Sequence, residues 1–218
     1  MDSADTPRLS GRRGQAARND EQILVAAREV FIADAEAPIS AVAARAGVGI
    51  SALYRRYPSK EELLRQVARD GLRRYVDEAE VAVADEGDTW TAFAAFMRRI
   101  VDADVHSLTV HLAGTFVPSD DMWPDVRRAA ELNELLVERT KARGGLRPDV
   151  EVEDLTLIFE QLAAIRIGVF GDELRTRELR QRYLALFLDG LRSPTAKMPG
   201  PPPTEEELGR RWGPRKSA

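Results

Sequence analysis

Arginines gathered on short segments give this sequence its most specific chemistry. Arg55 and Arg56 lie in SALYRRYPSK, within a window over 37–60 that also holds Arg45 and Lys60 and contains no acid. A second acid-free window, over 6–19, carries Arg8, Arg12, Arg13 and Arg18. A guanidinium fork reaches guanine edges and phosphates in a bidentate way. The chain as a whole has a formal net charge of −4, so these segments point to contact with a polyanion at one place rather than to general attraction.

Other chemistries find little to work with. The chain has no cysteine, which excludes disulfide frameworks, thiolate zinc sites, iron–sulfur clusters and cysteine nucleophiles. His106 and His111 are five apart and do not share a helical face as a zinc pair at i, i+4 would. Asp102 and His106 do have that spacing, which reads first as a simple hydrogen-bonded or surface pair. No G-x-S-x-G, phosphate-cradling glycine loop or dinucleotide fingerprint is present. Catalytic residues, metal ligands and cofactors are therefore expected to be none.

The elements that must position the arginines are helices. Ile23, Ala26, Ala27, Val30 and Phe31 form an amphipathic stripe, and Asn19 with Gln22 predicts a capping box that starts the first helix at about 20. Pro38 stops continuation, and Ser40 caps a short second helix that Gly47-Val48-Gly49 breaks. A third short helix over about 50–57 ends before Pro58, and Ser59 with Glu62 opens a long fourth helix reaching about 84. Further stripes predict a helix capped by Asp88, another carrying Leu108, Leu112 and Phe116, one over 122–143, one around Leu155 to Leu162, and a last one over 174–192. No segment alternates with the period of a strand, so the fold is predicted all-α. The stretch after 193 holds six of the twelve prolines and is expected to be extended or disordered.

Two short helices joined by a glycine turn make a helix-turn-helix. Val42, Ala46, Val48, Leu53 and Tyr57 are predicted to pack on Ile23, Ala27 and Phe31, which leaves Ile50, Ser51, Ala52, Arg55 and Arg56 facing outwards. Such a face fits a major groove. Ser40, at the start of the second helix, is counted with the DNA-facing residues. Arg12, Arg13 and Arg18 are expected to form a basic arm that contacts a groove or the backbone.

Over residues 20 to 65 the sequence resembles the TetR family of transcriptional regulators. The resemblance rests on Ile23/Ala26/Ala27/Phe31, Val42/Ala43/Ala46/Gly47/Val48, Leu53/Tyr54/Tyr57 and Ser59/Lys60/Glu61/Leu63/Leu64. It implies that Tyr54 and Lys60 contact phosphates. Two positions depart from the family pattern: Gly49 stands where a serine is usual, and Ser51-Ala52 where Gly-Thr is usual. A customary phosphate-contacting hydroxyl is thereby missing.

Beyond residue 65, GGLRPDVEVEDL, RQRYLALFLDGLR and the proline-rich tail look like the SbtR-like C-terminal subgroup. That resemblance implies dimerisation through the last two helices, and the broad apolar arc of Leu179, Tyr183, Leu184, Phe187, Leu188 and Leu191 agrees with it. It also implies an effector cavity in the C-terminal core, assigned here to Trp90, Phe93, Met97, His106, Phe116, Phe159 and Arg166. Arg166 falls on the stripe of Leu155, Ile158, Phe159 and Leu162, where its charge needs a partner: an acid such as Asp102, Asp104 or Glu160, or an anionic or carbonyl group of an effector.

The expected organisation is an arm over 1–19, a DNA-binding domain over 20–65 with its helix-turn-helix at about 40–57, an effector-binding and dimerisation domain over 66–192, and a tail over 193–218. The expected function is a cytoplasmic, homodimeric, ligand-responsive regulator, a repressor on a palindromic operator. Its partners are double-stranded operator DNA, a second copy of itself and a small-molecule effector, with no membrane. An all-α carrier or enzyme with an incidental N-terminal bundle is the alternative.

Overall fold

The computed structural model describes residues 6–107, 119–166, 173–192 and 198–209, with side chains from Asn19 onwards. The described residues contain helices and no strand. They divide into two compact units, Met1–Ala68 and Arg69–Ala218, and the division falls within one long helix.

In the first unit α1 (Thr6–Ala33) packs on α2 (Ile39–Ala46), which turns into α3 (Ile50–Arg56) and then α4 (Lys60–Ala84). Ile23, Ala27 and Phe31 of α1 are buried with Val42, Leu53, Tyr57, Leu63, Leu64 and Val67. Full burial of each large apolar side chain contributes about 1.5–3 kcal/mol. The turn between α2 and α3 depends on Gly47, whose φ of 68° lies in the left-handed region. There its amide closes on the carbonyls of Ala43 and Ala44, a geometry that glycine adopts without a Cβ penalty. Tyr57 caps the end of α3 rather than continuing it, with its amide 2.8 Å from the Leu53 carbonyl, because Pro58 bars the next turn.

Two expected helix starts are corrected. α1 begins at Thr6 instead of about 20, so Arg12, Arg13 and Arg18 fall within the first helix rather than in an arm that precedes it. Gln15, Ala16, Ala17 and Arg18 are good helix formers and carry the helix into Asn19, which then has no terminus to cap. α2 begins at Ile39 after Pro38, so Ser40 lies one residue inside the helix and caps nothing. Proline precedes the first turn there without losing a hydrogen bond the helix needs. Ser59 does act at the start of α4, accepting from the Glu62 amide at 3.1 Å.

The second unit gathers the rest of α4, α5 (Thr89–Asp102), α6 (Trp123–Ala142) after a 3-10 turn at Asp120–Met122, α7 (Val152–Ala163), α8 (Glu173–Arg192) and the short α9 (Glu205–Gly209). Asp88 caps α5, accepting from the Thr91 amide at 2.8 Å. The core joins Tyr75, Phe93, Phe96, Met97, Leu132, Leu136, Leu155, Phe159, Leu184 and Leu188. Arg139 of α6 donates to the carbonyls of Val83 and Ala82, filling acceptors that the end of α4 leaves open. The expected helix through Leu108, Leu112 and Phe116 lies outside the described residues.

The proline-rich tail is corrected in part. The Met198 amide donates to Asp149 at 3.0 Å, and Thr204 and Glu207 exchange capping hydrogen bonds at the start of α9. The Asp149 carboxyl is held well below the usual carboxylate range by its hydrogen bonds to Arg147 and then to the Met198 amide. That anchor ties the tail to the loop before α7. No helix among the described residues is long and apolar enough to cross a membrane.

Candidate nucleic-acid interface

The seven residues of α3 sort cleanly by exposure. Leu53 is fully buried, and Tyr57 just beyond the helix is buried with it. Ile50, Ser51, Ala52, Tyr54, Arg55 and Arg56 all face solvent, Ile50 and Tyr54 with 39% and 48% of their surface open. Exposing an isoleucine and a tyrosine side by side on a short helix costs apolar hydration, so the face is suited to being covered. Ser40 is exposed on α2.

The cations of this unit have distinct surroundings. Lys60, at the first turn of α4, has its Nζ 5.4 Å from the centroid of the Phe31 ring, a cation–π arrangement that holds the ammonium beside the α4 N-terminus. Arg45 Nε lies 2.6 Å from Glu29 Oε2, and Arg56 pairs with Asp20, both acids being contributed by α1. Arg55 makes no ion pair among the described residues. Sequence reading missed Asp20 and Glu29 because the window over 37–60 is free of acid along the chain but not in space. The side chains of Arg12, Arg13 and Arg18 lie outside the described residues.

In the second unit five of the residues assigned to an effector cavity, Trp90, Phe93, Met97, His106 and Phe159, meet in one core. Phe93, Met97 and Phe159 are buried in the core, and Trp90 is half-buried against Phe93 with ring centroids 5.8 Å apart. His106 stacks on Phe159 at 4.5 Å and meets the edge of Tyr75 at 5.7 Å. Its Nδ1 is buried with no hydrogen-bond partner among the described residues, and burial pushes its pKa down to about 4. A cavity with room for about one water molecule lies beside His106, Phe159, Asp104 and Arg180. Tyr75 donates to Asn133 at 2.7 Å, and burial raises its phenol pKa. Phe116 lies outside the described residues.

Arg166 is corrected. It is exposed and lies past the end of α7 at Ala163, so it leaves the Leu155 stripe before the stripe can bury it. The buried guanidinium is Arg180, which reaches Asp104 at 2.5 Å and the carbonyls of Ala163 and Ile165 at 2.9 and 3.2 Å. The expected surface of α8 shifts in the same way. Leu184, Leu188 and Leu191 are buried in the chain's own core, whereas Tyr183, Leu186 and Phe187 are exposed and Leu179 is half-buried. A groove of about 400 Å³ runs beside Phe187 and Leu186, with Val150, Leu157, Ile158 and Met198 along it. Among the described residues no cluster of three or more histidines or acids is placed to hold a metal.

An all-α chain whose N-terminal unit is a helix-turn-helix with an exposed basic second helix has the build of a DNA-binding regulator. Residues 23–67 match the family model described as bacterial regulatory proteins, tetR family. Among solved structures, the chain is similar to a TetR transcription regulatory protein from Mycobacterium vanbaalenii, at 28% identity over 83% of this chain and 99% of that one, TM-score 0.55. It is also similar to a TetR transcriptional regulator from Streptomyces coelicolor, at 27% identity over 81% and 99%, TM-score 0.54. The TetR-like regulator LfrR from Mycobacterium smegmatis, solved in complex with proflavine, shares the fold at 22% identity over 78% and 96%, TM-score 0.54. No curated protein matches the chain. The fold is thus that of TetR-family transcriptional regulators, and these likenesses support a DNA-binding regulator.

Proposed function

We propose that this protein is a cytoplasmic transcriptional repressor that binds a palindromic operator as a homodimer and releases it when a small molecule enters the C-terminal unit. The observation that carries this reading is the sorting of α3, with Leu53 and Tyr57 turned inwards and Tyr54, Arg55 and the small residues Ser51 and Ala52 turned outwards. Small residues let the helix approach base edges, and the basic and phenolic groups supply phosphate and guanine contacts. Lys60 and the first amides of α4 add an anion site at a helix N-terminus.

Two recognition helices must meet major grooves about 34–36 Å apart, which one helix-turn-helix per chain achieves only by pairing two chains. The exposed Tyr183, Leu186 and Phe187 with the half-buried Leu179, and the groove beside them, form the apolar face of the second unit that we assign to that pairing. The SbtR-like character of this unit rests on GGLRPDVEVEDL and RQRYLALFLDGLR. The effector site is assigned to the aromatic core around Phe93, Met97, Phe159 and His106. The neutral imidazole offers a buried acceptor or donor there, and an effector must open the small cavity to reach it. No catalytic role is assigned to any residue.

The test is selection of bound fragments from the source genome followed by footprinting. Protection of two half-sites one helical turn apart is the expected result. Failure to bind any duplex in a salt-dependent way rejects the reading.

A further inference from the structure

Two of the four cations in the window over 37–60 are met by acids of α1, Arg45 by Glu29 and Arg56 by Asp20. The second pair matters more, because Arg56 is the last residue of the recognition helix. Base edges are read mainly from the N-terminal part of such a helix, and at 1.5 Å per residue Arg56 lies about 9 Å along the axis from Ile50. A guanidinium at that end is placed for the phosphate backbone. A carboxylate and a phosphate compete for the same planar fork of donors.

We propose that Asp20 is a latch on Arg56: it holds this guanidinium off the phosphate backbone and so keeps the affinity of the protein for duplex DNA low. The side chain of Arg56 is 41% exposed, so a phosphate reaches it once the carboxylate lets go. Asp20 is the more buried partner, and among the described residues its Oδ1 is enclosed without a hydrogen bond and Arg56 is the cation that meets its charge. Glu29 and Arg45 repeat the arrangement one helix earlier, on α2. α1 thus limits how much positive charge the helix-turn-helix offers to a non-specific duplex, while Arg55 and Lys60 remain on offer. The latch rests on the DNA-binding reading above, and its test separates the two.

The probe is a fluorescent mixed-sequence duplex of about 30 base pairs, titrated by anisotropy between about 50 and 200 mM salt. Asp20→Asn is expected to bind it roughly fivefold more tightly at about 0.1 M salt, with a salt slope steeper by about 0.9 for each Arg56 released. Asp20→Asn combined with Arg56→Ala is expected to show no gain over Arg56→Ala alone, so the gain belongs to the pair. Asp20→Ser gives the same comparison if the asparagine variant melts early. Weaker or unchanged binding by both Asp20 variants, alongside a loss of binding in Arg55→Ala, overturns the latch and leaves the DNA-binding reading standing. If the unaltered protein shows no salt-dependent binding, both fall.

Discussion

Arg180 and Asp104 form an ion pair in the second unit, with Nη1 of the arginine 2.5 Å from Oδ1 of the aspartate and the arginine only 7% exposed. Asp104 stands at a φ of 52°, a left-handed conformation that an aspartate tolerates better than most residues, and it also accepts from the Ser107 hydroxyl. The carbonyls of Ala163 and Ile165 take up further donors of the guanidinium just where α7 ends. The pair therefore joins the end of α5, the end of α7 and the body of α8. Removing Asp104 strands the buried guanidinium, so Asp104→Asn is expected to cost about 3–5 kcal/mol in urea unfolding, and Arg180→Met, which leaves an aspartate 34% exposed, is expected to cost less. Arg166→Met, at an exposed site, is expected to stay within about 0.5 kcal/mol. Equal losses for Arg180 and Arg166 would contradict this assignment.

The contrast between those two arginines shows what the sequence made legible. The first unit is punctuated by residues whose conformations leave little choice, Gly47 at positive φ, Pro38 and Pro58, and so its helix-turn-helix reads directly from the chain. Past Ala163 no glycine or proline stands until Gly168, so periodicity alone extends the stripe to Arg166, although α7 stops three residues earlier. Arg180 sits in ELRTRELRQRY, where a dense run of charges hides which one turns inwards. The Asp20–Arg56 and Tyr75–Asn133 contacts link positions far apart in the chain and leave no local pattern. The apolar arc of α8 is legible, but its division into a buried edge and an open edge depends on where α5 and α7 lie against it.

On the DNA side, Arg55→Ala and Tyr54→Ala are expected to weaken operator binding while leaving the melting temperature unchanged, since both side chains are exposed. A lost bidentate base contact costs about 1–3 kcal/mol and relaxes specificity at one position. Lys60→Ala is expected to weaken all sequences alike and to lower the salt slope by about one. Unchanged binding in all three variants would remove α3 from the interface.

His106 gives a pH signature. Burial holds its pKa at about 4 in the folded chain, against about 6.5 when unfolded. The unfolded chain therefore takes up a proton in that interval while the folded chain does not, so stability falls as pH is lowered from about 6.5 to 4, by at most about 3 kcal/mol. Among the described residues, Asp104, Arg180 and Tyr75 are ionisable groups that lie beside it. The depressed carboxyls of Asp88, Asp121 and Asp149 lose their stabilising charge only at lower pH, below the usual aspartate range. Urea unfolding of His106→Phe should thus show a flatter profile between pH 6.5 and 4 than the unaltered chain, and the same decline below it. A parallel shift of the whole curve would show that His106 does not titrate differently on folding.

The assignment of the pairing face separates two sets of apolar residues on one helix. Leu184 and Leu188 are at 0% and 3% exposure, so Glu at either position must bury a charge in the chain's own core. That is expected to unfold the second unit, because an unpaired buried carboxylate costs several kcal/mol against a total stability of about 5–15. Leu186 and Phe187 are at 61% and 36%, and Leu186→Glu with Phe187→Glu places the new charges where water can reach them in a single chain. In a two-fold dimer the same patch meets its own copy, so each substitution brings like charges together twice. The double variant is expected to melt as an intact helical chain by circular dichroism yet to scatter light with the mass of a monomer. It is also expected to lose the palindromic operator while keeping weak salt-dependent contact with any duplex, since one recognition helix remains. A folded double variant that still has the mass of a dimer would place the interface on another face.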